Sequence, residues 1–154
     1  MNYQVIIIIL VSLVLITSYM LGFTPPLIGI IFLFVSLIAY LQYAKDKKAA
    51  KNGTWRVSEN TLHLLGLFCG WPGALIAQQK FRHKTKKVSF RVVFWLTVIA
   101  NIGGFVWLHS HDGNVQLRKG MSEIESYVAK QIDEKNISVV INLLTSFHGD
   151  GSVR

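Results

Sequence analysis

The chain has one cysteine, Cys69, and three prolines in 154 residues. A lone thiol excludes a disulfide framework and leaves no cysteine cluster to hold a metal. Acidic residues are scarce too, eight against sixteen lysines and arginines, so the formal net charge is +8. Also absent are a glycine-rich phosphate loop, a nucleophile elbow and a zinc-protease helix, so no familiar motif names a reaction. No cofactor and no bound metal are expected. Charge as a whole makes up only 16% of the residues while 51% are hydrophobic, which separates the chain from average soluble domains and turns attention to membranes.

Charge is missing altogether from long runs. Val5 to Leu21 carries none and is close to the ~20 residues that cross a bilayer as a helix. Met1 to Gln4 has no positive charge and no small-residue cleavage site follows, so a retained anchor is expected. Gly22-Phe23-Thr24-Pro25-Pro26 breaks this helix, because proline lacks an amide donor and restricts the residue before it. A second span is read at 27–43, with Tyr40 and Tyr43 near its end, and a last one at 92–108. Between them, 61–77 is apolar but holds His63 and is interrupted by Gly70-Trp71-Pro72-Gly73.

The positive charge gathers in two stretches on either side of that broken segment, Lys45 to Asn60 and Lys80 to Arg91. A straight span at 61–77 would put one stretch on the outer face, against the rule that short cytoplasmic loops carry the lysine and arginine. A segment that dips in and returns removes the conflict, with Gly70, Pro72 and Gly73 as the turn. The expected architecture is an all-α membrane protein: a membrane domain over 1–109, with three transmembrane helices and one broken apolar segment, and a small soluble tail over 110–154. Leu117, Met121, Ile124, Val128 and Ile132 mark an amphipathic helix near 117–135 in that tail. For 137–144, strand and helix both fit. The topology implied is multi-pass in the inner (cytoplasmic) membrane, with the N-terminus and both basic loops cytoplasmic and the tail outside.

The densest polar constellation lies at the mouth of the broken segment. Asp46, Glu59 and His63 are candidates for a polar pocket; Lys47, Arg56, Arg82, His83 and Lys84 are candidates for binding an anion, Arg82 because a guanidinium grips phosphate or carboxylate through two parallel bonds. Val57-Ser58-Glu59-Asn60-Thr61 reads as a helix start with Ser58 as N-cap, and His63 follows Glu59 by one helical turn. Lys86 and Lys87 fit attraction to anionic headgroups.

These stretches together, Tyr43-Ala44-Lys45-Asp46-Lys47-Lys48-Ala49-Ala50, Trp55-Arg56-Val57-Ser58-Glu59, Thr61-Leu62-His63-Leu64-Leu65, Gly70-Trp71-Pro72-Gly73-Ala74 and Phe81-Arg82-His83-Lys84-Thr85, resemble the domain-of-unknown-function 1294 family of small bacterial membrane proteins. The resemblance runs from Tyr43 to Phe90 and implies membership without an activity. The family usually has Gly-Gly before Trp-Pro-Gly, where this chain has Cys69 and Gly70. Some relatives carry a cold-shock domain, which this sequence lacks, so nucleic acid is the less favoured partner. The favoured partner is the lipid bilayer itself, with anionic lipids on a basic cytoplasmic surface. The alternatives are a membrane enzyme or small transporter built on a Glu/His/Arg pocket, a nucleic-acid-binding membrane protein, and an assembly or scaffold subunit.

Overall fold

Ile, Leu and Val dominate the apolar runs, whose helices owe more to burial than to intrinsic propensity, and alanine and lysine dominate the basic stretch after Tyr43, a composition that favours helix. The structure, a computed structural model, describes residues 3–82, 84, 87–131 and 135–149, and among these there is no strand. The helices are α1 (Tyr3–Met20), α2 (Pro26–Asn52), α3 (Glu59–Leu65), α4 (Trp71–Lys80), α5 (Val88–Leu108), α6 (His111–Gln131) and α7 (Lys135–Thr145). The stretch that read as either strand or helix is therefore helical. His83, Lys86, Ile132 and Asp133 lie outside the described residues.

Two helices, α2 and α5, are long and apolar enough to cross a membrane, and Val5–Met20 of α1 is apolar but shorter. α2 does not stop where its apolar run ends. It continues through the lysines to Asn52, a total of 27 residues or ~40 Å at 1.5 Å per residue. Gly53, at φ +64°, then takes the left-handed position after the helix, and the Thr54 amide donates to the Ala49 carbonyl at 3.1 Å, closing the end. Asp46 thus sits on a helix, in register with the buried Ala39, Tyr43 and Ala49, and not in a loop.

The chain divides into two compact units, Met1–Val11 with Ile31–Gly103, and Ser12–Ile30 with Gly104–Arg154. In the first, Ala39, Ala74 and Ala77 allow close helix approach while Tyr43, Leu62, Phe90, Phe94 and Val98 fill the core. In the second, Gly113 packs directly on the Trp107 carbonyl. Asn114 Nδ2 and Arg118 Nη2 donate to the carbonyls of Phe23 (2.8 Å) and Gly22 (3.0 Å), so α6 is held to the turn that follows α1.

Candidate functional site

Ser58 caps α3, its side chain accepting from the Thr61 amide at 3.1 Å. α3 then runs antiparallel to α2: Glu59 shares Lys84 with Asp46, and the next positions down meet α2 at Ser36, whose hydroxyl donates to the Cys69 carbonyl at 3.4 Å. Over Gly66–Gly70 the helix breaks and the chain reverses. α4 returns alongside α2, with Gly73 against the Ser36 carbonyl at its start and Gln78 Nε2 donating to the Tyr43 hydroxyl at 3.2 Å near its end. The result is a helical hairpin. Its two ends and both basic stretches lie at the level of Asp46, and its tip lies at the level of Val35 and Ser36, ~15 Å further along α2.

The non-helical dihedrals at the tip fall on Phe68 (φ −90°, ψ 54°) and Cys69 (φ 67°, ψ 1°). The reversal is therefore earlier than the Gly70-Trp71-Pro72-Gly73 interruption in the sequence suggests. Pro72 lies in the first turn of α4, where a missing amide costs nothing. Gly70 and Gly73 serve contact: a Cβ on Gly70 would lie 3.0 Å from the Val35 carbonyl, and one on Gly73 would overlap Ser36. Asn101 of α5 secures the broken turn. Its Nδ2 donates to the Leu67 carbonyl at 2.8 Å and lies 3.5 Å from Cys69 Sγ, and its Oδ1 accepts from Trp71 Nε1 at 3.0 Å. No motif in the sequence singles out Asn101; its one signal is that it is an amide inside an apolar run.

At the open end of the hairpin the charges interlock. Arg56 Nε donates to Asp46 Oδ1 at 3.3 Å, Lys84 Nζ lies 3.8 Å from Asp46 Oδ2 and 2.6 Å from Glu59 Oε1, and Lys87 Nζ lies 2.8 Å from Glu59 Oε2. The Asp46 side chain is fully buried and that of Lys84 is 8% exposed, whereas Arg56 and Lys87 are about half exposed. Hydrogen bonds from Lys84 and then Lys87 lower the Glu59 pKa to about 2. Next to this network the His63 ring packs on Phe90 at 4.3 Å, with Lys84 Nζ 5.4 Å from the same ring. His63 Nδ1 is buried without a hydrogen-bond partner.

Of the candidates from the sequence, Asp46, Arg56, Glu59 and Lys84 are in one network and His63 borders it. Lys87, which the sequence assigns only to headgroup attraction, completes it. Lys47 is half-buried on α2 and Arg82 is exposed beyond α4, neither with an ion pair among the described residues. His83 lies outside the described residues. Arg82 (φ 45°) and Lys84 (φ 62°) both take left-handed backbone, uncommon for side-chain-bearing residues. Among the described residues no three His, Cys, Asp or Glu side chains group as metal ligands.

A family profile described as a protein of unknown function (DUF1294) matches residues 36–90. Uncharacterized protein YsdA of Bacillus subtilis (strain 168) is 37% identical over 57 residues, which are 37% of this chain and 64% of that relative's length. No solved structure matches. The matched segment starts at Ser36, level with the hairpin tip, and ends at Phe90, under His63. It takes in the hairpin, the α2 face that receives it and the charge network, and stops short of Asn101.

Proposed function

Residues 36–90 match the DUF1294 family, and from that premise we propose a multi-pass membrane protein whose basic face binds anionic lipid headgroups. In this reading α1, α2 and α5 span the bilayer and the α3–α4 hairpin is re-entrant. With 7 and 10 residues, α3 and α4 reach only ~10 and ~15 Å, half of a ~30 Å hydrocarbon core or less. Large apolar side chains left exposed, Leu33 (72%), Phe34 (63%), Phe68 (64%) and Ile99 (63%), suit a lipid surround. The N-terminus and both basic stretches are then cytoplasmic and α6 and α7 lie outside, in accord with the distribution of lysine and arginine.

The observation that carries the headgroup reading is the meeting of the two basic stretches at the hairpin mouth. Among the described residues the network holds three cations against two carboxylates, so Arg56, Lys84 and Lys87 are largely engaged. Lys45, Lys48, Lys51, Lys80 and Arg82 are exposed around it. Trp55, 95% exposed, lies beside them as an interfacial ring. Each such cation near an anionic surface contributes about 1 kcal/mol. In mixed micelles, brominated phosphatidylglycerol should quench tryptophan emission more than brominated phosphatidylcholine. The preference should fade in salt of about 0.5 M, where screening reaches a few ångström, and Trp55→Phe should remove most of the salt-sensitive part. Equal quenching by the two lipids would refute the reading.

One observation favours a second reading, a proton- or solute-handling pocket: the unpartnered Nδ1 of His63 beside Glu59 and Lys84. If a cellular phenotype of losing the protein is rescued equally well by His63→Phe, that reading is eliminated.

A further inference from the structure

α7 leaves a run of aliphatic side chains facing outward. From Ile137 to Phe147 the sequence has no charged residue. Thr145 is 2% exposed and its hydroxyl donates to the Glu125 carboxylate of α6, while Val139 (53%), Val140 (54%) and Leu143 (64%) face outward. Ile141 and Leu144 are half-buried with Thr145, yet leaving Val139, Val140 and Leu143 outward is unfavourable beside water, where each such side chain is worth ~1.5–3 kcal/mol on burial.

The end of α7 is anchored next to the end of α1. Phe147 is 6% exposed beneath the Arg118 guanidinium, 4.0 Å from its ring centroid, and the His148 ring meets Tyr19 at 5.5 Å. Arg118 in turn donates to the Gly22 carbonyl. At that same point α1 leaves Met20 (52%) and Leu21 (66%) exposed, the last apolar residues of its run. α6, by contrast, presents Lys119, Glu123 and Lys130 to solvent. One unit thus carries a charged helix and an aliphatic helix without charge from Ile137 on, the latter ending where the first apolar helix ends.

We propose that α7 lies in the headgroup–acyl boundary of the outer leaflet, with Val139, Val140 and Leu143 in lipid, as an amphipathic helix in the membrane plane. The inference rests on the membrane reading above. The exposed apolar surface is continuous in kind with that of Met20 and Leu21, and the absence of charge from Ile137 to Phe147 fits lipid tails better than an ionic partner surface.

The test uses the full chain in phosphatidylglycerol–phosphatidylcholine vesicles, with Cys69→Gly and single nitroxide-labelled cysteines at Val140, Leu143, Lys119 and Ile99. The labels at 140 and 143 should collide with oxygen several-fold more than with an aqueous nickel chelate, as the label at 99 does, while the label at 119 does the reverse. Labels at 140 and 143 that follow the nickel chelate overturn the proposal. Shielding from both reagents also overturns it, because a protein, such as a second copy, then covers α7. If Ile99 itself follows the nickel chelate, the membrane reading fails; if Ile99 is in lipid and 143 is not, only the placement of α7 fails.

Discussion

Cys69 is the residue at which this chain departs from the Gly-Gly-Trp-Pro-Gly pattern of the family it resembles, and it is also where the hairpin backbone is left-handed. A side chain there costs ~1–2 kcal/mol that glycine avoids, partly offset by the greater freedom of glycine in the unfolded chain. Cys69→Gly should therefore stabilise the protein by about 1 kcal/mol in detergent unfolding; a loss of stability would show that the thiol contact with Asn101 matters more. Gly73→Ala should destabilise by about 3 kcal/mol, since the added carbon meets backbone that cannot rotate away, whereas Gly103→Ala, with nothing within 4 Å, should change little. Asp46→Asn leaves Lys84 buried with less opposing charge and should cost about 3–5 kcal/mol. Adding Lys84→Met should recover part of that loss, and additive losses in the cycle would contradict the pairing.

At the scale of elements, the charge network gives the α3–α4 hairpin an acid limit. The Glu59 pKa is lowered from 4.5 to about 2, so its ion pairs with Lys84 and Lys87 contribute fully above pH 4.5 and are lost as pH falls toward 2. Midpoints of unfolding measured across that window should fall more steeply in the native chain than in Glu59→Gln. A break within 61–77 was legible from its glycines and proline, and Ser58 as a cap from its place before Glu59. What remained hidden had physical causes. The helical state of Lys45–Asn52 was obscured because charge marks the end of an apolar run, not of a helix. The exact reversal point was displaced because Pro72 is tolerated at a helix start, so the proline marks the beginning of α4 and not the turn. Asn101 was hidden because its partners, the Leu67 carbonyl, Cys69 Sγ and Trp71 Nε1, lie thirty or more residues earlier.

Across the whole molecule, sequence composition identified an all-helical, apolar chain, and α2 and α5 have the length that crossing requires. In the membrane reading, modification by an impermeant thiol reagent should reach cysteines at Lys51 and Lys80 from one side and at Lys119 from the other. Labelling of 51 and 80 from opposite sides would make the α3–α4 segment a crossing one. In that reading the exposed lysines of α2 and α4 fall on the first of those sides, which would concentrate the positive field there.

The role of Asn101 bears on how the protein is made. The Leu67 carbonyl of the broken turn accepts its hydrogen bond from a residue that follows it by 34 positions, so at ~5–20 residues per second the ribosome supplies the partner roughly 2–7 s after Leu67. Until then the hairpin has no means of satisfying its open carbonyl in lipid. In the membrane reading it waits at the surface, and α5 draws it in. A nascent chain arrested before Asn101 emerges should leave the α3–α4 turn open to a protease that the finished protein resists.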